Sequence, residues 1–250
     1  MKSIISPDYR ATLFEFARRH VLLAFDFDGT LAPIVARPEA AAMREHTRAL
    51  LEKIARLYPC VVVSGRSRAD VKQKLEGIRL RAIVGNHGME PARNLRAARW
   101  LAALWQAQLA AALPKTAGLH VEDKGVSLTV HYRKTRRQAV ARREILSATG
   151  ELLGARIVEG KKVVNVLPQG AANKGTAVLE LCKRWGCESI IYVGDDDTDE
   201  DVFALAGKSA LLAIRVGRAR TSHAEFYLPT QRSMDRFLSE LLRARVAKGT

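Results

Sequence analysis

Cysteine is scarce: the 250 residues hold three, Cys60, Cys182 and Cys187. They cannot all pair and none stands in a C-x-x-C spacing, which argues against a disulfide scaffold or a thiolate metal site and fits a reducing, cytoplasmic setting. Long hydrophobic runs are lacking as well. The longest apolar stretch, Leu101 to Leu113, is broken by Gln106 and Gln108 and is too short to span a bilayer, so no membrane association is expected. The first twenty residues carry Asp8, Arg10, Glu15, Arg18 and Arg19 without a continuous apolar segment, which speaks against a signal peptide. Internal repeats, low-complexity tracts and Ser/Pro linkers are missing. Acid is in deficit: 26 Asp+Glu face 41 Lys+Arg, a net +15 that favours anionic partners such as phosphorylated metabolites, nucleic acid or a lipid surface. What is present, 48% hydrophobic and 27% charged residues, is ordinary for a globular chain long enough for one large domain or two small ones.

Short apolar runs alternate with helical patterns. Val21–Phe25, Cys60–Val63, Arg81–Val84, Ile190–Val193 and Ala210–Ile214 are rich in β-branched residues and apolar on both faces, as strands of a covered parallel sheet are. Helix-length segments lie between them, at Ala40–Tyr58, Arg68–Leu75 and Lys174–Trp185. This is the pattern of a doubly wound α/β sheet. The middle of the chain breaks the rhythm. A long Ala/Leu/Trp helical pattern over Ala92–Leu113 is followed by strand-like pieces at Leu119–Glu122 and Val126–Arg133, with Asp123–Gly125 as the turn. A helix over Arg136–Ala148 and a second strand pair, Ala155–Val158 and Val163–Val166, joined through Glu159–Lys162, complete an αββαββ order. Residues 90–168 therefore read as an inserted α+β domain, and 1–89 with 169–250 as the core. Residues 91–168 hold 14 basic and five acidic side chains, +9 of the total charge. Trp100 and Trp105, with Leu101 and Leu104, are expected in the core of the insert's first helix rather than as a sugar-stacking platform.

Chemistry concentrates at strand ends. Asp26-Phe-Asp28-Gly29-Thr30 follows the first long strand directly, where ligands bind in open α/β sheets. Two carboxylates at alternate positions of an extended chain point opposite ways; Gly29 lets the chain turn so that both converge. A second acidic stretch, Asp195 to Asp201, also follows a strand and packs six acidic residues into seven positions. Such density is most simply explained by a divalent cation, although Glu200 and Asp201 read equally well as an acidic helix N-terminus. Val63-Ser64-Gly65-Arg66 offers a hydroxyl and a glycine amide at a strand-to-helix turn, an anion-binding concavity. Asn173-Lys174-Gly175-Thr176 opens a helix with a cation.

In this order, D-x-D-G-T, S-G-R, K-G and G-D-D-x-T-D resemble the four motifs of the haloacid dehalogenase superfamily. Further segments, Gly85–Glu90, Glu122–Ser127, His131–Arg133, Glu159–Lys161 and Tyr192–Asp201, are similar to the trehalose-6-phosphate phosphatases, and the insert is similar to that family's mobile cap. The family's pattern is broken at Val163-Val-Asn165-Val-Leu167-Pro168, where an acidic and then a basic residue usually precede the proline.

The resemblance implies a Mg2+-dependent phosphatase of trehalose biosynthesis, hydrolysing trehalose 6-phosphate to trehalose and phosphate through an aspartyl-phosphate. Asp26 is then the nucleophile, Asp28 the acid and base, and Lys174 the catalytic cation. Gly29, Thr30, Ser64, Gly65 and Lys174 surround the phosphoryl group. Mg2+ is held by Asp26, the backbone carbonyl of Asp28 and Asp195, with Asp199 or Asp196 acting through water. Arg66 and His87 neighbour the phosphate or a hinge, and Glu122, Lys124, His131, Arg133, Glu159 and Lys161 face the sugar. Crossings near Met89–Ala92 and Leu167–Gly170 are expected to hinge a cap that excludes water on closing. The oligomeric state is left open, with a monomer expected. The broken segment keeps other sugar phosphates (sucrose-phosphate, mannosylglycerate-phosphate) and a phosphohexomutase in play. A basic nucleic-acid-binding module is the remote rival. The arginines at 136, 137, 142 and 143 sit on one helix without interleaved aromatics, so no specific nucleic-acid partner is expected.

Overall fold

A computed structural model describes residues 1–91, 95–207 and 210–246. Ala92, where the first helix of the insert is expected to begin and one crossing to end, lies outside them. The strands in chain order are β1 (Lys2–Ser3), β2 (Val21–Phe25), β3 (Cys60–Val63), β4 (Ala82–Val84), β5 (His120–Asp123), β6 (Leu128–His131), β7 (Ala155–Gly160), β8 (Val163–Pro168), β9 (Ser189–Gly194), β10 (Leu211–Val216) and β11 (Phe226–Leu228). The helices are α1 (Arg10–Arg18), α2 (Glu45–Leu57), α3 (Arg68–Lys74), α4 (Arg96–Ala112), α5 (Gln138–Gly150), α6 (Lys174–Arg184), α7 (Glu200–Phe203) and α8 (Ser233–Val246).

Seven strands form one sheet in the order β1-β11-β10-β9-β2-β3-β4, and every pairing is parallel. All five residues of β2 are buried, because successive side chains enter different layers. Val21, Leu23 and Phe25 join Leu51 and Ile54 of α2 and Phe237 and Leu241 of α8 in one cluster. Leu22 and Ala24 join Val178 and Leu181 of α6 and Phe203 of α7 in the other. Each such buried aliphatic side chain contributes about 1.5–3 kcal/mol, which is why both faces read as apolar. The chain builds outward from β2 through β3 to β4, then returns to place β9 on the other side of β2. That reversal puts the topological switch point, where ligands bind in such sheets, between β2 and β9.

Contacts within the chain divide it into two units, Met1–Gly88 with Asn173 onward, and Met89–Ala172. The second unit is an antiparallel sheet in the order β5-β6-β8-β7. Val121, Leu128, Val130, Ile157, Val164 and Val166 line its helix-covered face with Trp105 and Leu109 of α4 and Ile145 of α5. The architecture is thus a doubly wound parallel α/β core carrying an antiparallel α+β insertion. Two details differ from the sequence reading. Trp105 is fully buried, but Trp100 is 66% exposed and Leu104, one turn along from it, 40%, since residues five apart on a helix lie on different faces. The turn of the second hairpin is only Lys161-Lys162, with Lys162 at φ 68°; Glu159 and Gly160 belong to β7.

Candidate active site

The motifs meet at the carboxyl edge of the parallel sheet. Phe25 pairs with Val62 on one side and Val193 on the other, so Asp26, Ser64 and Asp195 leave three adjacent strands at nearly the same level. The Asp26 amide continues the ladder by donating to the Val193 carbonyl at 2.9 Å. Gly29 then turns the chain at φ 79°. A β-carbon there would lie 2.1 Å from an Asp195 carboxylate oxygen, so glycine is what lets the two acidic segments approach.

Oxygens of Asp26, Asp195 and Asp199 lie within 4.8 Å of one another, and all three residues are buried. Among the described residues this is the one acidic, His or Cys group arranged to hold a metal ion. A single buried cation, Lys174, stands among them, donating to Asp26 Oδ1 at 2.9 Å and Asp199 Oδ1 at 2.7 Å. A capping box places it at the start of α6: Asn173 accepts from the Thr176 amide at 2.8 Å, and the Thr176 hydroxyl answers the Asn173 amide at 2.9 Å.

The electrostatics follow from this crowding. Burial pushes the Asp26 carboxyl well above the usual carboxylate range; Lys174 pulls it down, but Asp199, Asp195 and Asp28 add to the rise. Asp199 goes the other way. Burial opposes its ionisation, but Lys174, the Tyr192 hydroxyl and the Asp196 amide outweigh burial and hold it below its ordinary value. Lys174 stays protonated, because Asp199 and Asp26 overcome its own desolvation. The pocket therefore carries more negative charge than one lysine neutralises, and an all-oxygen donor set suits a hard divalent cation.

The remaining acids separate by role. Both Asp199 oxygens are engaged: Oδ1 by Lys174 and by Tyr192 Oη at 2.6 Å, Oδ2 by the amides of Asp195 and Asp196 at 2.8 and 2.9 Å. Asp196 caps the turn at Asp197–Asp199 by accepting from the Asp197 amide. Glu200 binds Arg215 at 2.9 Å, and Asp197 is largely exposed. Tyr192 is not among the side chains expected at the site; a lone tyrosine in an aliphatic strand just before an acidic run is the sequence signal for its place.

Ser64 is buried at the end of β3, and its hydroxyl accepts from the Arg66 amide at 3.2 Å. The His87 ring lies against Gly65, where a β-carbon would meet Cε1 at 2.5 Å. Left-handed backbone at both Asn86 and His87, φ 47° and 57°, aims it there. The Thr30 hydroxyl is buried and has no hydrogen-bond partner among the described residues. Arg66, expected as a neighbour of the phosphate or of a hinge, grips the Asp28 carboxylate with Nε and Nη2 at 2.6 and 2.8 Å.

Within the second unit, register decides which expected sugar contacts share a face. Glu122 opposes Thr129, and Thr129 opposes Asn165, on the face turned from the helices. His131 joins them through a 2.8 Å contact with Glu122. Glu159 opposes Val164 and so points to the helix face, where Arg142 binds it bidentately at 2.6 and 2.7 Å. Lys124 and Lys161 sit in turns at opposite ends of the sheet, because Leu128 pairs with Val166 and His131 with Val163. Arg133 donates to the Lys161 carbonyl at 3.0 Å. The set expected on one surface is thus divided: Glu122 and His131 together, Arg133 with Lys161, Glu159 behind and Lys124 apart.

Comparison with known proteins accords with the geometry. The trehalose-phosphatase family model matches residues 24–229. An uncharacterized glycosyl hydrolase of Mycobacterium tuberculosis is 34% identical over 247 residues, covering 89% of this chain and 18% of that protein. The trehalose-phosphate phosphatase of Mycobacterium ulcerans is 34% identical over 209 residues, covering 75% of this chain and 52% of that protein. The chain thus spans about half the length of that phosphatase and far less of the hydrolase. The C-terminal domain of C. albicans trehalose-6-phosphate phosphatase superposes with a TM-score of 0.78 at 23% identity, over 93% of this chain and 96% of that one, a likeness of fold. With the family match running from within β2 to the end of β11 and through every motif at the sheet edge, the chain belongs to the trehalose-phosphatase family.

Proposed function

We propose that the chain is a Mg2+-dependent phosphatase that hydrolyses trehalose 6-phosphate to trehalose and phosphate. The observation that carries this reading is the convergence of Asp26 with Asp195 and Asp199 around Lys174. Mg2+ would be held by the carboxylates of Asp26 and Asp195 and the carbonyl of Asp28; when bound it neutralises charge on the phosphoryl oxygens and favours ionised Asp26. Asp199, its oxygens engaged, adds charge and orientation.

Asp26 attacks phosphorus in line, forming the aspartyl-phosphate as the sugar oxygen departs with a proton from Asp28. Asp28 then takes a proton from the water that hydrolyses the acyl phosphate. Lys174, Ser64 and the amides of Gly29, Thr30 and Gly65 steady the transferring group, and the Thr30 hydroxyl is held in the same turn. Sugar selection is assigned to the inserted unit, through Glu122 and His131. The broken segment is committed within the inserted unit: Asn165 accepts from Thr129 Oγ1 at 2.8 Å and donates to the Val158 carbonyl at 3.2 Å, and Leu167 is buried with Met89 and Val126. Three free thiols suit the cytoplasm, the proposed location. Among the described residues no helix is long and apolar enough to cross a membrane.

The changed Asn165 and Leu167 favour one second reading, a different sugar phosphate as substrate. Phosphate release from trehalose 6-phosphate, glucose 6-phosphate and sucrose phosphate, with Mg2+ and with EDTA, tests both. Mg2+-dependent release from trehalose 6-phosphate at least about tenfold above the others in kcat/KM is expected, a ratio worth about 1.4 kcal/mol of transition-state binding. Preference for another sugar phosphate overturns the substrate assignment, and release undiminished in EDTA overturns the metal.

A further inference from the structure

Arg66 is heavily committed at the edge of the site. Its guanidinium gives Nε and Nη2 to the two oxygens of Asp28, Nη1 to Asp70 Oδ2 at 2.6 Å, and a second Nη2 bond to the Pro38 carbonyl at 2.7 Å. Its side chain is only 13% exposed, and the guanidinium packs 5.7 Å from the Phe27 ring centre. With four of five N–H groups engaged, little remains for a substrate phosphate. Asp70 is itself fixed, one turn along α3, whose start is capped by the Ser67 hydroxyl accepting from the Asp70 amide. Lys74, a further turn on, donates to the carbonyls of Glu39 and Ala41 at 3.0 and 3.1 Å. The loop through Pro38 and the carboxyl of Asp28 are thereby tied to one rigid helix.

We propose that Arg66 is the positioning residue for Asp28, with Asp70 as its anchor. The inference deepens the reading above and rests on the acid–base role given to Asp28. A carboxyl side chain 32% exposed would otherwise sample several rotamers and hydrogen-bond water. The planar fork grips both oxygens when Asp28 is ionised, ready to take the proton of water, and keeps the unprotonated oxygen when Asp28 carries the proton it donates; a lysine ammonium has no such second arm. A proton donor displaced by about 1 Å loses on the order of 100-fold in rate, so loss of the fork should remove a large part of what Asp28 supplies.

The test compares leaving groups. A sugar alkoxide needs a proton to depart, whereas p-nitrophenolate leaves without one, so kcat/KM for p-nitrophenyl phosphate reports attack by Asp26 with little demand on Asp28. Arg66→Lys and Arg66→Met are expected to lower kcat/KM for trehalose 6-phosphate about 10- to 100-fold, mainly through kcat, and to lower that for p-nitrophenyl phosphate at least tenfold less. Asp28→Asn should show the same selectivity, and adding Arg66→Lys to it should cost little more. Asp70→Asn should follow the Arg66 pattern at smaller size, and carries the test if an Arg66 variant does not fold. Where the aryl phosphate turns over too slowly, the double-variant comparison on the sugar phosphate decides. Equal losses on both substrates, a loss expressed only in KM, or a full Arg66 effect in the Asp28→Asn background overturns the proposal and leaves the role of Asp28 standing. An Asp28→Asn variant without leaving-group selectivity overturns both. A wild-type chain active only on another sugar phosphate overturns the substrate alone, and the comparison then runs on that ester.

Discussion

Asp26→Asn should abolish turnover and, in the absence of metal, make the protein more stable. The Asp26 carboxylate is 4% exposed and has oxygens of Asp195 and Asp199 within 4.8 Å. At an effective dielectric of about 20, each of those repulsions costs at least about 3.5 kcal/mol. Lys174, 2.9 Å away, returns about 6 kcal/mol on the same scale. The ionised carboxylate is thus left slightly unfavourable before the cost of its burial is included, which increases the deficit. Asparagine keeps an oxygen for the lysine and sheds the charge. A gain of about 0.5–2 kcal/mol is expected, typical of neutralising a strained functional group, or about 1–8 °C in melting temperature.

Acidity fixes the sign with pH. Because the Asp26 carboxyl is raised above its ordinary 3.8, its protonated form is the one the fold favours. Its contribution is most favourable at low pH and is lost as pH rises through the folded value, so the advantage of asparagine should be absent near pH 3 and present at pH 7. Mg2+ should reverse the comparison. At 100 times its Kd a ligand that binds only the folded state adds about 2.7 kcal/mol, and the variant, lacking one carboxylate, should gain much less. Calorimetric melts of both proteins in EDTA and in Mg2+, with phosphate release on the same samples, supply the readouts. An asparagine variant that melts lower in EDTA at pH 7, or gains as much from Mg2+ as the parent, would refute the reasoning; near-normal turnover would exclude Asp26 as nucleophile.

Two further substitutions probe the surroundings. Tyr192→Phe removes the 2.6 Å hydrogen bond to buried Asp199 and should cost about 1–3 kcal/mol in urea unfolding. By loosening the group that orients Asp195, it should also weaken Mg2+ binding about 10- to 100-fold by titration calorimetry; unchanged affinity would make Tyr192 purely structural. Leu167→Arg, which moves the broken segment toward the family pattern, buries an unpaired cation beside Met89 and Val126. It should destabilise by at least about 3 kcal/mol, and a neutral result would show that this position can reach water.

The core of the fold was readable because its central strands are buried on both faces. β2, β3 and β9 announce themselves as unbroken apolar runs that stop at chemistry, and the acidic pair followed from where the runs stop. The edges were not readable this way. β1 has two residues and β11 three, too few for any periodicity, and they pair only because residues more than 200 apart in sequence are brought together. The last helix, α8, does carry a signal in the spacing of Met234, Phe237, Leu238, Leu241 and Ala244.

Within the site, legibility tracks how locally each role is determined. Asp26 and Asp195 take their places from the strands that precede them. Which oxygens Lys174 bridges, and whether Asp199 ligates or organises, depends on Tyr192 and two amides that only the folded chain aligns. The inserted sheet makes the point most sharply. Alternation says that neighbouring residues of one strand face opposite ways, but whether Glu122 and Glu159 share a face depends on pairing across β5, β6, β8 and β7. A one-residue slip would reverse the answer. The observed register sets Glu122 beside His131 and sends Glu159 to Arg142, so two glutamates equivalent in sequence context acquire different roles. The same holds for Arg66. Its neighbour Asp70, one helical turn along, could be named from spacing alone, but its grip on Asp28, 38 residues away, comes from the parallel pairing of β2 with β3 that sets both strand ends side by side.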